Sequence, residues 1–426
     1  MRFIPPPLQV PAFRAYFVAR LASTIAQMAM VIVIGWQVYD IARETMDIRD
    51  AAFQLGLIGL AQFVPLFVLT PISGWAADRI DRRLIARAAI LLELTCALIL
   101  GWATFTGSIN IPLLFAVAAL LGVARAFAGP ALGALAPNLV PRSILPKAIA
   151  LSSTAWQSGA ILGPAIGGIL YDVTPALPYA FSVALFAVSA ACLFAIGPVD
   201  RTALRPGSPW NQMVEGLAYV RRNRLVLGAI TLDLFAVLLG GVVAMLPVFA
   251  RDILQVGAEG LGPLRAAPAA GATLTAIIFS IRPLRTNVGA KMLVAVIVFG
   301  AATVVFGLST SYLLSLAMLA LLGAADMFSV YIRQSLIQLH TPDEMRGRVA
   351  AASTLAISAS NELGEARSGF TAALIGPIAA TVAGGVAAIG VTLLWAYWFP
   401  ELRRARTFEL ADEPPPQEAT VVASGG

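Results

Sequence analysis

This chain of 426 residues has little of what soluble enzymes use for chemistry. It holds one histidine (His340), two cysteines (Cys96 and Cys192) and two lysines (Lys147 and Lys291). A single histidine excludes a histidine-rich metal centre and a serine–histidine–aspartate relay. The cysteines lie far apart inside apolar runs and read as small buried hydrophobes, not as a disulfide framework. No Gly-x-x-x-x-Gly-Lys-[Ser/Thr] loop is present, which argues against ATP hydrolysis by this chain. Charge is also scarce. Only 12% of residues are charged, about half the share of an average soluble domain. Against this, 59% are hydrophobic and the mean hydropathy is +0.83. So few polar residues cannot cover the surface of a soluble fold, which excludes a soluble enzyme or a nucleic-acid binder. No cofactor or metal is expected.

What the chain does have is long apolar runs. A bilayer core about 30 Å thick needs about 20 apolar residues of helix. Twelve runs are expected to span it. The first six are Ala15–Asp40, Phe53–Ala76, Ile85–Thr106, Ile111–Leu135, Ala148–Leu170 and Leu177–Ile196. The second six are Leu225–Phe249, Leu264–Ile281, Met292–Leu308, Tyr312–Leu339, Val349–Ile375 and Thr381–Phe399. The runs are continuous and do not alternate at period two, so they read as helices and not as barrel strands. This predicts an all-α membrane protein with an N-terminal segment (1–14) and two six-helix bundles (15–196 and 225–399). A polar central loop (197–224) joins the bundles, and a disordered tail (400–426) follows. The central loop contains an amphipathic stretch from Trp210 to Val220. The segment Met1–Phe13 shows no cleavable signal pattern.

The basic residues predict orientation. Of 29 Lys and Arg, 21 fall in the N-terminal segment, the even-side loops and the tail; Arg43, Arg49, Arg251 and Arg265 fall on the opposite side. Positive charge is retained on the cytoplasmic face, so both termini are expected inside a bacterial cytoplasmic (inner) membrane. The two bundles also repeat. At an offset of 201, Gly122 meets Gly323, Pro141 meets Pro342, Gly163 meets Gly364 and Gly168 meets Gly369. At 203, Gly59 meets Gly262, Pro65 meets Pro268 and Thr70 meets Thr273. Two parallel six-helix repeats predict a transporter whose site lies between them at mid-membrane.

Two motifs carry a resemblance. The loop after the second run reads Gly74-Trp75-Ala76-Ala77-Asp78-Arg79-Ile80-Asp81-Arg82-Arg83. It resembles the major facilitator superfamily signature G-x-x-x-D-[RK]-x-G-[RK]-[RK], with Asp81 in place of the second glycine. The resemblance implies that Gly74, Asp78, Arg79, Arg82 and Arg83 form a latch between the halves; otherwise they form an ordinary positive-inside loop. The fifth run contains Gly159-x-x-x-Gly163-Pro164-x-x-Gly167-Gly168, a smooth face that admits a close helix. It is similar to the antiporter motif of proton-driven exporters in that superfamily, with generic glycine packing as the other reading. Closer resemblance is to the branch holding the enterobactin exporter and related bacterial efflux permeases. It rests on Pro11-Ala-Phe-Arg-Ala-Tyr16, Gly35-Trp-Gln-Val-Tyr39, Gly262-Pro-Leu-Arg-Ala-Ala-Pro268 and Thr341-Pro-Asp-Glu-Met-Arg-Gly-Arg348.

Charges inside the runs mark candidate sites, because an ionised group at mid-membrane needs a partner or a wet cavity. Arg20, Arg125, Asp233 and Asp326 lie in the first, fourth, seventh and tenth runs, which line the central cavity in the resembled fold. They are either transport-site residues or fixed ion pairs. In the eleventh run Glu362 and Glu365 share a face. Each either exchanges protons near neutral pH or is permanently paired with Arg333 or Arg367. Glu93, alone in the third run, reads as structural. The expected function is a proton-coupled exporter of a siderophore, drug or other small amphiphile, acting as a monomer in the bilayer by alternating access. An uptake symporter of the same fold is the alternative. A non-transporting membrane sensor or a membrane enzyme is a remote one.

Overall fold

The computed structural model describes residues 5–198, 209–282, 284 and 286–407, and among these there is no β-strand. The first half comprises α1 (Pro11–Thr45), α2 (Ile48–Arg79), α3 (Arg82–Phe105), α4 (Ile111–Leu135), α5 (Leu145–Val173) and α6 (Leu177–Ala195). The amphipathic α7 (Pro209–Arg222) leads into the second half. That half holds α8 (Arg224–Gly240), the single turn α9 (Leu246–Val248), α10 (Gly257–Ile281) and α11 (Val288–Leu308). It continues with α12 (Tyr312–Leu339), α13 (Asp343–Ile375) and α14 (Pro377–Trp398), and the short α15 (Pro400–Arg404) follows.

Polar side chains start the helices where the chain turns back. The Asp47, Asp81, Asn110 and Asn223 side chains accept from the backbone N–H of Asp50, Arg83, Leu113 and Val226, satisfying donors that a helix start leaves open. Asp81 is the residue that departs from the loop signature, and its capping of α3 gives the departure a structural reason.

Among the described residues, ten helical stretches are long and apolar enough to cross a membrane, against the twelve expected. The two that fall short are α5 and α13, and not the shorter runs at α10 and α11, which extend back to Gly257 and Val288. The reason is composition. α5 carries Ser152, Ser153, Thr154 and Gln157, while α13 carries Asn361, Glu362, Glu365 and Arg367. Both are nonetheless enclosed by the bundle: α5 packs on α1 and α10, and α13 on α2 and α8.

The packing pattern repeats between halves. α1 packs on α5 and α6, α2 on α4, and α3 on α4 and α6; in the second half α8 packs on α13 and α14, α10 on α12, and α11 on α12 and α14. The halves meet along α5–α10 and α2–α13, which exchange under the same correspondence. Among the described residues the contacts of one half therefore repeat in the other, a pseudo-twofold relation.

Glycine makes the close seams possible. A Cβ on Gly122 would collide with the Gln62 carbonyl oxygen, and one on Gly323 with that of Pro268. These are equivalent crossings, α4 on α2 and α12 on α10. Between halves, a Cβ on Gly369 would collide with Gly56 Cα, and one on Gly168 would lie 2.6 Å from the Ala258 oxygen.

Two expectations need correction. The seventh run is not one helix to Phe249: α8 ends at Gly240, and a 3-10 turn, α9 and a π-helical turn over Phe249–Ile253 follow. Consecutive Gly240 and Gly241 and the nearby Pro247 weaken the helix there. The Ser368 hydroxyl donates to the freed Gly241 carbonyl at 2.6 Å. The tail is likewise not free from residue 400. Leu402 is buried, and the Ala405 carbonyl accepts from Gly289 N–H at 3.0 Å. Residues 1–4, 199–208 and 408–426, which cover parts of the expected N-terminal, central-loop and tail segments, lie outside the described residues.

Gly323→Ala is expected to destabilise the protein by about 1–3 kcal/mol through overpacking. Thermal unfolding in detergent checks this, with Gly129→Ala as control, since a Cβ there meets open space.

Candidate transport site

Two clusters of charge join the halves. At the α1–α2 end of the bundle, α1 presents Tyr39, Asp40 and Arg43 to the π-helical turn after α9. Arg251 pairs with Asp40, and its Nη1 also donates to the Asp40 carbonyl at 3.0 Å. Arg43 Nη2 pairs with Asp252 Oδ1 at 3.2 Å, and the Tyr39 hydroxyl donates to Asp252. The two ion pairs run in opposite senses, acid to base and base to acid. The Gly56–Gly369 and Gly168–Gly262 contacts lie on the same side of the bundle, so this end is closed.

The second cluster lies deeper. Arg125, half-buried on α4, reaches across to Glu362 on α13, Nη2 to Oε1 at 3.3 Å. Its Nη1 also contacts Gln62 Oε1 on α2 at 3.5 Å. One turn along α13, Glu365 pairs with Arg265 Nη1 on α10 at 3.7 Å. A cavity of about 50 Å³ adjoins them, lined by Gly35, Gln62, Leu246, Arg265 and Glu365 among others. It has room for a few waters. Ionised groups from α4, α10 and α13 thus meet at the junction of the halves, beside a small, mainly apolar space that Gln62, Arg265 and Glu365 enter.

The other candidates are placed differently. Asp233 on α8 and Arg333 on α12 form an ion pair inside the second half, only 4% and 1% exposed. Asp326 on α12 is half-buried and makes no hydrogen bond or salt bridge among the described residues. Arg20 on α1 has a buried Nε without a hydrogen-bond partner. Arg367 Nη2 donates to Ser368 Oγ at 3.0 Å. Arg20, Arg125, Asp233 and Asp326 therefore do not converge on one point; among the described residues, Arg125 alone of the four bonds across the halves.

The glycines of α5 serve two neighbours. Gly159, Gly163 and Gly167 press on Thr24, Met28 and Ala29 of α1, while Pro164 and Gly168 meet Gly262 of α10. In the loop signature, Arg82 Nη1 donates to the Ala134 carbonyl at 3.1 Å and Arg83 pairs with Asp81 at 2.5 Å. Arg83 also donates to the Ile196 carbonyl at 3.3 Å. These bonds stay within the first half, where cations suit the last turns of α4 and α6. Arg79 is exposed at the end of α2. The surroundings of Gly74 and the side chain of Asp78 lie outside what the structure describes.

Sequence reading missed Arg265, which counts as a loop charge when the eighth run begins at Leu264 but sits inside α10. It also missed Asp40, Arg43, Arg251 and Asp252 as partners. The available signal was the opposite order of charge at the ends of two pseudo-equivalent segments.

A family profile described as transmembrane secretion effector matches residues 5–423. The chain belongs to this family of major facilitator transporters. Enterobactin exporters are among its relatives. That of Escherichia coli O6:K15:H31 is 27% identical over 425 residues, 97% of this chain and 96% of that protein. That of Citrobacter koseri is 27% identical over 416 residues, 95% and 94% of the two chains. Solved structures share the fold. An inward-facing, unoccupied bacterial homologue of the human lysosomal transporter Spinster superposes with TM-score 0.69 at 15% identity, covering 93% of this chain and 99% of that one. A POT family transporter gives 0.72 at 12% identity, covering 92% and 96%. A D-xylose–proton symporter gives 0.67 at 15% identity, covering 91% and 98%. The protein is a multi-pass membrane transporter and not an enzyme.

Two expectations follow for this family member. Arg251→Asp should open the α1–α2 end, shifting the closed-to-open ratio by about fivefold, equivalent to ~1 kcal/mol; Asp40→Arg in the same chain should restore it. Labelling of an Ile58→Cys protein with a membrane-impermeant thiol reagent reads the change. Asp233→Ala leaves the Arg333 guanidinium buried without its partner. It should cost about 3–5 kcal/mol, seen as loss of folded, detergent-extractable protein, whereas single changes at the half-exposed Asp40 should not.

Proposed function

We propose that this chain is a proton-coupled exporter of a siderophore or similar small amphiphilic compound. In this reading both termini are cytoplasmic and the α1–α2 end faces the periplasm of a bacterial inner membrane. The observation that carries the reading is the Arg125–Glu362 bond, an ion pair between halves near the small cavity that Gln62 and Glu365 line. A proton on Glu362 removes the charge that Arg125 holds, so proton occupancy and the relation of the halves become one equilibrium. Asp326, half-buried on α12 and without a hydrogen bond or salt bridge among the described residues, is a second carboxylate free to take a proton. The partition of Lys and Arg supports the orientation, and the enterobactin-exporter relatives support export and the substrate class. The glycine seam of α5 seats it tightly on α1 and leaves a smooth contact with α10 across the halves, which suits an antiporter motif. The loop arginines, with Asp78, serve as the latch of the opposite state.

In proteoliposomes with an imposed pH gradient, substrate should move against the direction of proton flow. Asp326→Asn and Glu362→Gln should each lower gradient-driven export at least about tenfold, ~1.4 kcal/mol in coupling, while substrate exchange without a gradient persists. Flux in the same direction as protons would instead identify an uptake symporter. Full gradient-driven export by both variants would remove these carboxylates from the coupling.

A further inference from the structure

Glu93 is a buried carboxylate that the scheme above leaves unused. It lies on α3, away from the seam between halves, and is 1% exposed. Gln27 Nε2 of α1 donates to it at 3.3 Å. At 1.5 Å per residue Glu93 stands about 16 Å from the Arg82 end of α3, and Arg125 stands about 15 Å from the same end of the antiparallel α4. α3 packs on α4, so the two groups lie at the same level of the first half. Arg125 therefore contacts an acid of the other half, Glu362, and has an acid of its own half, Glu93, at the same level on the neighbouring helix. Its bonds to Glu362 and Gln62 are long, 3.3 and 3.5 Å.

The other access state poses a physical problem. When the halves part at this seam, or when Glu362 takes a proton, Arg125 loses its counter-charge while remaining at mid-membrane. A cation left there without a counter-charge or water is strongly disfavoured. Glu93 travels with Arg125, because both belong to the same rigid bundle. We propose that Arg125 exchanges partners during the cycle, bonding Glu362 while the α1–α2 end is closed and Glu93 when it opens. Glu93 is thus a positioning residue that acts through Arg125 and gives the open state its counter-ion. The inference rests on the transport reading and adds to it the reason this peripheral helix carries an acid.

The test places spin labels at Thr174→Cys and Thr310→Cys, exposed positions in the connections at the α1–α2 end of the two halves. Cys96 and Cys192 are replaced by alanine, and inter-label distances are measured in lipid nanodiscs. Glu93→Gln keeps the shape of the side chain and should raise the ratio of short to long distances at least about twofold. Glu362→Gln should shift it the opposite way. In an Arg125→Gln background the Glu93→Gln change should have no effect. That result separates partner exchange from a purely structural role, which would persist without the arginine. A Glu93→Gln distribution equal to the parent's, an effect that survives in the Arg125→Gln background, or a shift of the same sign in both acid variants overturns the exchange. Proteoliposome flux by the parent reports separately on the transport reading, so the two can fail independently.

Discussion

The arrangement depends on the refusal of hydrocarbon to hold an unpaired charge. Every ionised side chain carried into the bundle must find an opposite charge, a hydrogen-bonding group or water. In this protein that demand is met in two ways with different consequences. Asp233 and Arg333 answer each other inside one half and are sealed from solvent, which makes them a structural pin. Arg125 and Glu362 answer each other across the halves beside a cavity, so their bond cannot persist if the halves move apart. Position, more than residue type, separates a pin from a switch.

Glycine supplies the complementary freedom. At Gly122 and Gly323 two helices cross with no room for even a methyl group, which makes each half rigid. At Gly56, Gly168, Gly262 and Gly369 the same device brings backbones of opposite halves together. Contacts of this kind gain dispersion without side-chain interlocking, so they come apart along a surface. Rigid halves joined by a smooth seam, with ion pairs at one end, suit the alternating-access reading proposed above. The paired charges Asp40–Arg251 and Arg43–Asp252 join the halves at that end.

The run lengths and the offset repeat anticipated the helices and the pseudo-twofold relation, because a bilayer dictates apolar length and duplicated bundles keep their small residues in register. Where the reading slipped, a local weakness was resolved by a distant partner. The break after Gly240 is held by Ser368, more than a hundred residues away, and no window of sequence contains both. Arg265 passed for a loop residue because apolarity begins at Leu264, yet α10 starts at Gly257 and carries Arg265 to Glu365. Asp81 passed for a departure from a signature and is a helix cap.

Chain chemistry was enough to make this an all-helical membrane transporter of two related halves, since composition and periodicity act locally and add up along the chain. It was also enough to nominate the buried charges, because each is conspicuous against its apolar neighbours. Which charges pair, and whether a pair lies within one half or between two, was decided only when the helices packed. Charge attraction acts through space at a few ångströms, and residues 125 and 362 acquire that proximity from the fold alone.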